Sequence, residues 1–360
     1  MDFAGSADMS AGQKNPSEVS MDLAALGDIV GRFAGKKIIL FGDFVADEFQ
    51  FGEISRVSRE APVLILRHRG TTVVPGGGAN AANNLAALGA KVYPITIVGE
   101  DAAGNSLTEY FRKIGVDTSG IVRAKDWVTP TKTRFLAGWT HTVAQQVLRV
   151  DREPAGPPAE KILAKIAAQL QERLRFADGM AISDYGFGVA SPLAVKQAVR
   201  GKSSARVSAL DARYRLDAYA NCGIMAATPN EAELEALHRS SIGRDLGELE
   251  RCGKSTLKKM GLQSLLVTRG KDGMALFERA AKKLTRIPVH GSDQAVDVTG
   301  AGDTVLAAYT LALASGAAAL EAARIANIAG GLVVMKRGTA VVPNAELLGA
   351  IRAEISGGAS

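Results

Sequence analysis

Short apolar runs alternating with helix-length amphipathic stretches constrain this chain more than any other feature it has. The runs cover 37–41, 93–98, 180–183, 207–210, 223–227 and 265–268. Each is too short for a buried helix yet apolar on successive residues, the pattern of a strand covered on both faces. Between most of them lie stretches of helical period, at 79–88, 105–114, 159–174, 192–199, 231–238 and 245–260. That alternation predicts an α/β fold, a parallel sheet wrapped by helices through right-handed crossovers. One domain is expected over 26–355. The segment 1–25, rich in Ser, Ala, Gly and Asp without a period, reads as a mobile leader.

Two segments break the rhythm. Residues 48–74 and 129–151 alternate polar and apolar side chains with no helical pattern, as in Thr131-Lys132-Thr133-Arg134-Phe135-Leu136. They are expected to pair as a small antiparallel flap, with lid strands from about 44–74 and 129–151. Because both follow strands of the main sheet, the flap would lie over its carboxyl edge, where open α/β sheets bind ligands. From 300 to 336 the sequence is nearly all small and apolar, which predicts two buried helices.

Composition narrows the ligand. With 47% hydrophobic and 22% charged residues the chain is expected to be a soluble globular protein, and no apolar run approaches the ~20 residues of a membrane span. A net charge of +6 is small and scattered, and only 5% of residues are aromatic, so a base-stacking nucleic-acid surface is not expected. A phosphorylated small molecule fits the surplus better. Two cysteines, Cys222 and Cys252, give no disulfide framework, and 1–20 is too polar for a signal peptide, so a reducing cytoplasm is the expected location. His68, His141, His238 and His290 lie outside any zinc-ligand spacing.

Three glycine-rich sites need sorting. Pro75-Gly76-Gly77-Gly78-Ala79-Asn80 fits the loose dinucleotide pattern, but it follows the irregular flap instead of opening a strand–helix unit. Its helix carries Asn80, Asn83 and Asn84, amides suited to a polyol. Gly253-Lys254-Ser255 ends like a P-loop, yet five residues separate its two glycines and no strand precedes it. Asp297-Val298-Thr299-Gly300-Ala301-Gly302-Asp303-Thr304 runs into a helix of small apolar residues. Its amides can converge on an anion at the helix N-terminus. An aspartate inside such an anion hole is electrostatically odd unless it takes a proton from an attacking hydroxyl. On this segment alone, Asp303 as base and Asp303 as a simple helix cap are both open.

Gly76 to Asn80 and Asp297 to Asp303 resemble the two signatures of the ribokinase-like (PfkB) carbohydrate kinases, and the likeness runs from about Lys37 to Val342. The resemblance implies a ribokinase-like three-layer α/β/α fold with a mostly parallel central sheet and a β-flap lid. Within the family, Gly42-Asp43 with Asp47, Ser55-Arg56, Ser183-Asp184-Tyr185-Gly186-Phe187-Gly188 and Thr268-Arg269-Gly270 are most similar to kinases of D-glycero-D-manno-heptose 7-phosphate. That implies transfer of the ATP γ-phosphate to O1, giving the 1,7-bisphosphate for ADP-heptose and lipopolysaccharide core synthesis. A related kinase for another sugar or sugar phosphate stays open, as does a non-catalytic nucleotide- or sugar-phosphate-binding regulator.

Carried over residue by residue, the resemblance makes Asp303 the base and the amides of Gly300, Ala301 and Gly302 the anion hole. Asp43, Asp47, Gly77, Asn80, Asn84, Gln146 and Asp184 would hold the sugar. Lys132, Arg134 and Arg149, on the flap, are candidates for the substrate's own phosphate. Asn230 and Glu233 resemble the motif that organises Mg²⁺ through water, and Thr268, Arg269, Gly270, Gly273 and Asn327 would line the nucleotide site. Asp297, with Arg337-Gly338-Thr339, resembles a K⁺ site. Relatives pair through the flap, which implies a homodimer. One departure stands out: relatives commonly read Asp-Pro-Lys where this chain has Asp211-Ala212-Arg213, and arginine differs from lysine in reach and geometry.

Overall fold

The structure, a computed structural model, describes residues 23–139, 144–200, 207–292 and 294–357. The chain opens with α1 (Leu23–Gly31), β1 (Lys37–Gly42), β2 (Phe44–Val57), β3 (Leu64–Gly77) and α2 (Gly78–Ala87). It continues through β4 (Lys91–Gly99), α3 (Ala102–Lys113), β5 (Ile121–Ala124), β6 (Thr131–Gly138), β7 (Gln145–Arg152) and α4 (Glu160–Arg173). Then come β8 (Gly179–Asp184), α5 (Pro192–Arg200), β9 (Val207–Ala212), β10 (Ala226–Ala227), α6 (Glu231–His238) and α7 (Leu246–Met260). The last elements are β11 (Ser264–Thr268), β12 (Met274–Glu278), β13 (Thr285–Ile287), α8 (Ala301–Ala314), α9 (Ala319–Val333) and α10 (Asn344–Gly357).

Among the described residues the main sheet has nine strands in the order β13-β12-β11-β10-β9-β8-β1-β4-β5. Its pairings are parallel except those of β12, which runs antiparallel to both β11 and β13. Alternation along each strand divides the core in two. Ile38 and Leu40 of β1 face a cluster completed by α1, α2, α3, α8, α9 and α10. Ile39 and Phe41 face the opposite cluster, completed by α4 to α7. The predicted three layers follow directly from these doubly covered strands.

β3, β2, β6 and β7 form a second sheet in that order. It corrects one expectation: the flap is mixed, because β2 and β6 pair in parallel, from Ala46↔Thr131 to Glu53↔Gly138. The flap also grows out of the main sheet without a linker. Only Asp43 separates β1 from β2, and β3 ends where α2 begins, with the Gly78 N–H donating to the Asp43 carbonyl at 3.0 Å. This closure fixes the flap at the carboxyl edge, beside β1, where the order reverses between β4 and β8.

Other boundaries shift. Of the leader 1–25, residues 1–22 lie outside the described residues and Leu23–Ala25 belong to α1, whose Leu26, Ile29 and Val30 are buried. The expected strand 223–227 shrinks to Ala226–Ala227. The elements α1, β5, β12, β13 and α10 were not anticipated from the sequence.

Candidate active site

The N-terminus of α8 places Asp303. Gly300 turns the chain into the helix at φ 77°, and a Cβ there would lie 2.4 Å from the Asn80 amide nitrogen, so only glycine allows α2 and α8 to meet this closely. Asp303, 2% exposed, accepts from Asn80 Nδ2 at Oδ2 and from the Tyr185 hydroxyl at Oδ1, both at 3.0 Å. Burial pushes its carboxyl up to about 7, against the lowering effect of those two hydrogen bonds. Of the three amides read as an anion hole, that of Ala301 donates to the Val298 carbonyl at 3.3 Å. The N–H groups of Gly300 and Gly302 have no acceptor among the described residues.

Asn84 is turned into the protein interior. Buried completely, it donates to Asn80 O (3.0 Å) and Oδ1 (3.2 Å) and accepts from Thr304 Oγ1 (3.1 Å). Its saturated hydrogen bonds make it a brace for Asn80, which corrects its expected contact with sugar. Asp43 is corrected in the same way. Its carboxylate collects the backbone N–H groups of Tyr185, Phe187 and Val189 at 2.9 to 3.0 Å and so shapes the loop after β8. Burial, then the nearby Asp184, raises Asp43 to about 7. Asp184 accepts from the Gly186 N–H and the Tyr219 hydroxyl.

On the flap, Asp47 pairs with Arg134 at 2.5 Å in a nearly buried contact, and Arg134 also stacks over Phe49. The Asp47 carboxylate presses against Gly76, where a Cβ would come within 2.5 Å. Lys132 lies 5.4 Å over the Tyr185 ring; burial lowers its ammonium, with Asp47 opposing and Arg213, Arg149 and Arg134 adding to the shift. Arg149 stands opposite Arg134 across the β6–β7 pair but is held by Asp151 at 2.7 Å. Gln146 lies on the exposed β7, opposite Leu136. Gly77, at φ 54°, lets the chain pass within contact of the Tyr185 ring.

Ala301 and Gly302, which lead into Asp303, line a cleft of about 190 Å³. Thr268, Gly270, Gly273 and Asn327, the candidates for a nucleotide site, line it together, with apolar walls from Met274, Val289 and Val305. Lys271 lines it too, a cation the sequence reading passed over. Arg269 does not: its guanidinium pairs with Glu231 and donates to the Gly243 carbonyl at 3.0 Å, so its expected nucleotide contact is replaced by a tie between loop and α6. Asn230 and Glu233 form a reciprocal capping box at the start of α6. Burial raises Glu233; burial, then the charges of Glu233 and Asp303, push Asp211 well above the carboxylate range, with Arg213 opposing. Asp297 receives the N–H groups of Thr299 and Gly338, which outweigh its burial and hold its carboxyl below the usual range.

Tyr185 is the residue that sequence reasoning missed. Its position was visible, directly after the acidic end of a buried strand, but nothing local indicated that its hydroxyl would reach Asp303.

An apolar cleft, a buried carboxylate at a helix N-terminus and a cation-bearing flap thus lie around the start of α8. The chain belongs to the pfkB family of carbohydrate kinases, which residues 36–345 match. It is 36% identical over 334 residues to the bifunctional protein HldE of Paramagnetospirillum magneticum, covering 92% of this chain and 67% of that one. It is 37% identical over 329 residues to HldE of Caulobacter vibrioides, covering 90% of this chain and 65% of that one. The chain thus spans about two thirds of the length of these relatives. Among solved structures, phosphofructokinase-2 of Escherichia coli in complex with potassium aligns with a TM-score of 0.71 at 19% identity, over 89% of this chain and 99% of that one. Arabidopsis thaliana ribokinase complexed with ribose and ATP aligns with a TM-score of 0.67 at 21% identity, over 89% and 99%. The fold is ribokinase-like and the protein is a sugar kinase.

Proposed function

We propose that this chain transfers the γ-phosphoryl group of ATP to O1 of D-glycero-D-manno-heptose 7-phosphate, giving the 1,7-bisphosphate used for ADP-heptose and lipopolysaccharide core. The observation that carries the reading is Asp303, buried between the cleft and the flap with two donors orienting it. Asp303 takes the O1 proton as that oxygen bonds to the γ-phosphorus; the bond to the β-phosphate oxygen breaks, and ADP leaves. The free amides of Gly300 and Gly302 stabilise the charge on the transferring group. Lys132 and Arg134 on one strand face supply positive charge for the substrate's phosphate, and the choice of heptose rests on the HldE relatives.

A divalent cation fits beside Asp211 and Glu233, since positive charge there would relieve carboxyls raised by burial and by mutual repulsion. Among the described residues no group of three or more His, Cys, Asp or Glu could hold a metal, and Mg²⁺ usually keeps several waters beside one or two carboxylates and the substrate phosphates. Mg²⁺ would neutralise phosphate oxygens. K⁺ fits at Asp297 with the 337–339 loop, where the buried Thr339 hydroxyl has no hydrogen-bond partner. The flap serves as a lid that excludes water and as the contact of a homodimer. A cytoplasmic location belongs to this reading; no helix among the described residues is long and apolar enough to cross a membrane.

ADP release measured with heptose 7-phosphate, fructose 1-phosphate, fructose 6-phosphate and ribose tests the reading. The expected result is a kcat/KM for heptose 7-phosphate at least a hundredfold above the others, on the order of two tenfold steps in transition-state binding. Comparable turnover of unphosphorylated ribose would sink it, and tight ATP binding with no turnover on any sugar would favour a regulator.

A further inference from the structure

We propose that Tyr185 is a positioning residue for phosphoryl transfer: its hydroxyl fixes the Asp303 carboxylate in its proton-accepting orientation, and its ring docks the lid through Lys132. The inference rests on the reading of Asp303 as the base.

Asp303 is held at both oxygens. Asn80 Nδ2 donates to Oδ2 and the Tyr185 hydroxyl to Oδ1, each at 3.0 Å. One donor on each oxygen blocks rotation of the carboxylate and leaves each oxygen one acceptor direction for a substrate hydroxyl. The Asn80 arm is rigid because Asn84 binds its carbonyl and its amide oxygen. The Tyr185 arm is rigid for a different reason: the buried Asp43 gathers the N–H groups of Tyr185, Phe187 and Val189, so the loop cannot drift.

The ring has its own contacts. It packs on Gly77, where a Cβ would lie 3.3 Å from two ring carbons, and the cations of Lys132 and Arg213 lie 5.4 and 5.9 Å from its centroid. Lys132 belongs to β6 of the flap, so the Tyr185 side chain touches both the flap and Asp303. Burial, then the charges of Asp303 and Asp211, push the phenol well above its ordinary range, which favours the protonated, donating form. It acts as a donor throughout.

Tyr185→Phe keeps the ring and deletes only the hydroxyl. A lost hydrogen bond to a charged group lowers kcat by about ten- to a hundredfold, with KM for ATP within about twofold. The donor favours the ionised carboxylate, so its loss moves the acidic limb of the kcat–pH profile upward by about one unit. A space-filling role would lower the melting temperature and leave the limb where it is. Incorporating 3-fluorotyrosine at 185, a stronger donor of the same shape, should move the limb downward and does not depend on the Phe variant folding. A limb unmoved in both variants, or a Phe variant with kcat within twofold of wild type, overturns the assignment. Asp303→Asn separates the two readings: wild-type turnover there removes the base and Tyr185's role with it, whereas an inactive Asn variant beside an active Phe variant removes only the role of Tyr185.

Discussion

A carboxyl group 2% exposed and raised to about 7 sets the folding of this chain against its chemistry at Asp303. Its folded value lies above the reference of 3.8, so the folded protein binds the proton more tightly than the unfolded chain. The stability from this group is therefore full below pH 3.8 and is lost as pH rises through about 7. On ~1.36 kcal/mol per unit, the ionised form costs about 4 kcal/mol at pH 8. Asp303→Asn should raise the melting temperature at pH 8 and leave it unchanged near pH 4. The gain will be partial, since one asparagine oxygen replaces two and its amide must face Asn80 or a reoriented Tyr185 hydroxyl. Turnover should fall by about 10² to 10⁴, the usual worth of a general base. In the wild type kcat should climb as pH rises through 7, and a flat profile from pH 5 to 9 would contradict a base of this kind.

At the scale of the element, the Asn230–Glu233 motif has two roles that substitution can separate. Asn230 Oδ1 accepts from the Glu233 N–H at 2.8 Å, and Glu233 Oε2 accepts from the Asn230 N–H at 2.9 Å. Asn230→Ala should cost about 1 kcal/mol by chemical denaturation, whatever the metal does. Glu233→Gln keeps an acceptor for the Asn230 N–H and removes the charge. The expected outcome is an unchanged melting temperature with Mg²⁺ dependence of turnover weakened several-fold; an unchanged Mg²⁺ dependence would leave only the cap.

The same element shows what a sequence encodes locally. α6 was read at its true bounds, Glu231–His238, because the cap residues and the helical period coincide there. α1 and α10 were not, since their Ala- and Gly-rich sequences resemble the flanking tails until tertiary packing buries Leu26 or Ile351. β12 broke the expected alternation by returning antiparallel to β11 with only a tight Gly270–Asp272 turn between them. Partner choice is not local either: nothing in 44–57 or 131–138 specifies that β2 and β6 run parallel. In the candidate site, Asp303, Gly300 and Asn80 stood out in the sequence because an aspartate in a glycine-rich helix start demands a reason, and the structure brings the three together. Arg269 was misplaced and Tyr185 missed because the direction of a long side chain depends on neighbours from distant strands.

Across the whole molecule, the flap presents two faces of opposite character. Arg134 and Arg149 stand opposite each other on one face. Phe135 with Leu148 and Thr133 with Val150 alternate onto the other. All of β7 is exposed, with Leu148 at 55% and Val150 at 48%. An uncovered edge strand with apolar side chains is a template for association, and a second copy of the chain is the partner that closed symmetry favours. Leu148→Asp with Val150→Asp should convert a dimer to a monomer in sedimentation, leaving the cleft behind Gly302 intact. The flap also carries Lys132, so loss of its outer support should raise KM for the sugar phosphate about tenfold, roughly 1.4 kcal/mol of binding, while KM for ATP stays within about twofold. A wild-type chain that sediments as a monomer at tens of micromolar, or a monomeric variant with unchanged KM for sugar, would mean that the flap closes without help from a partner.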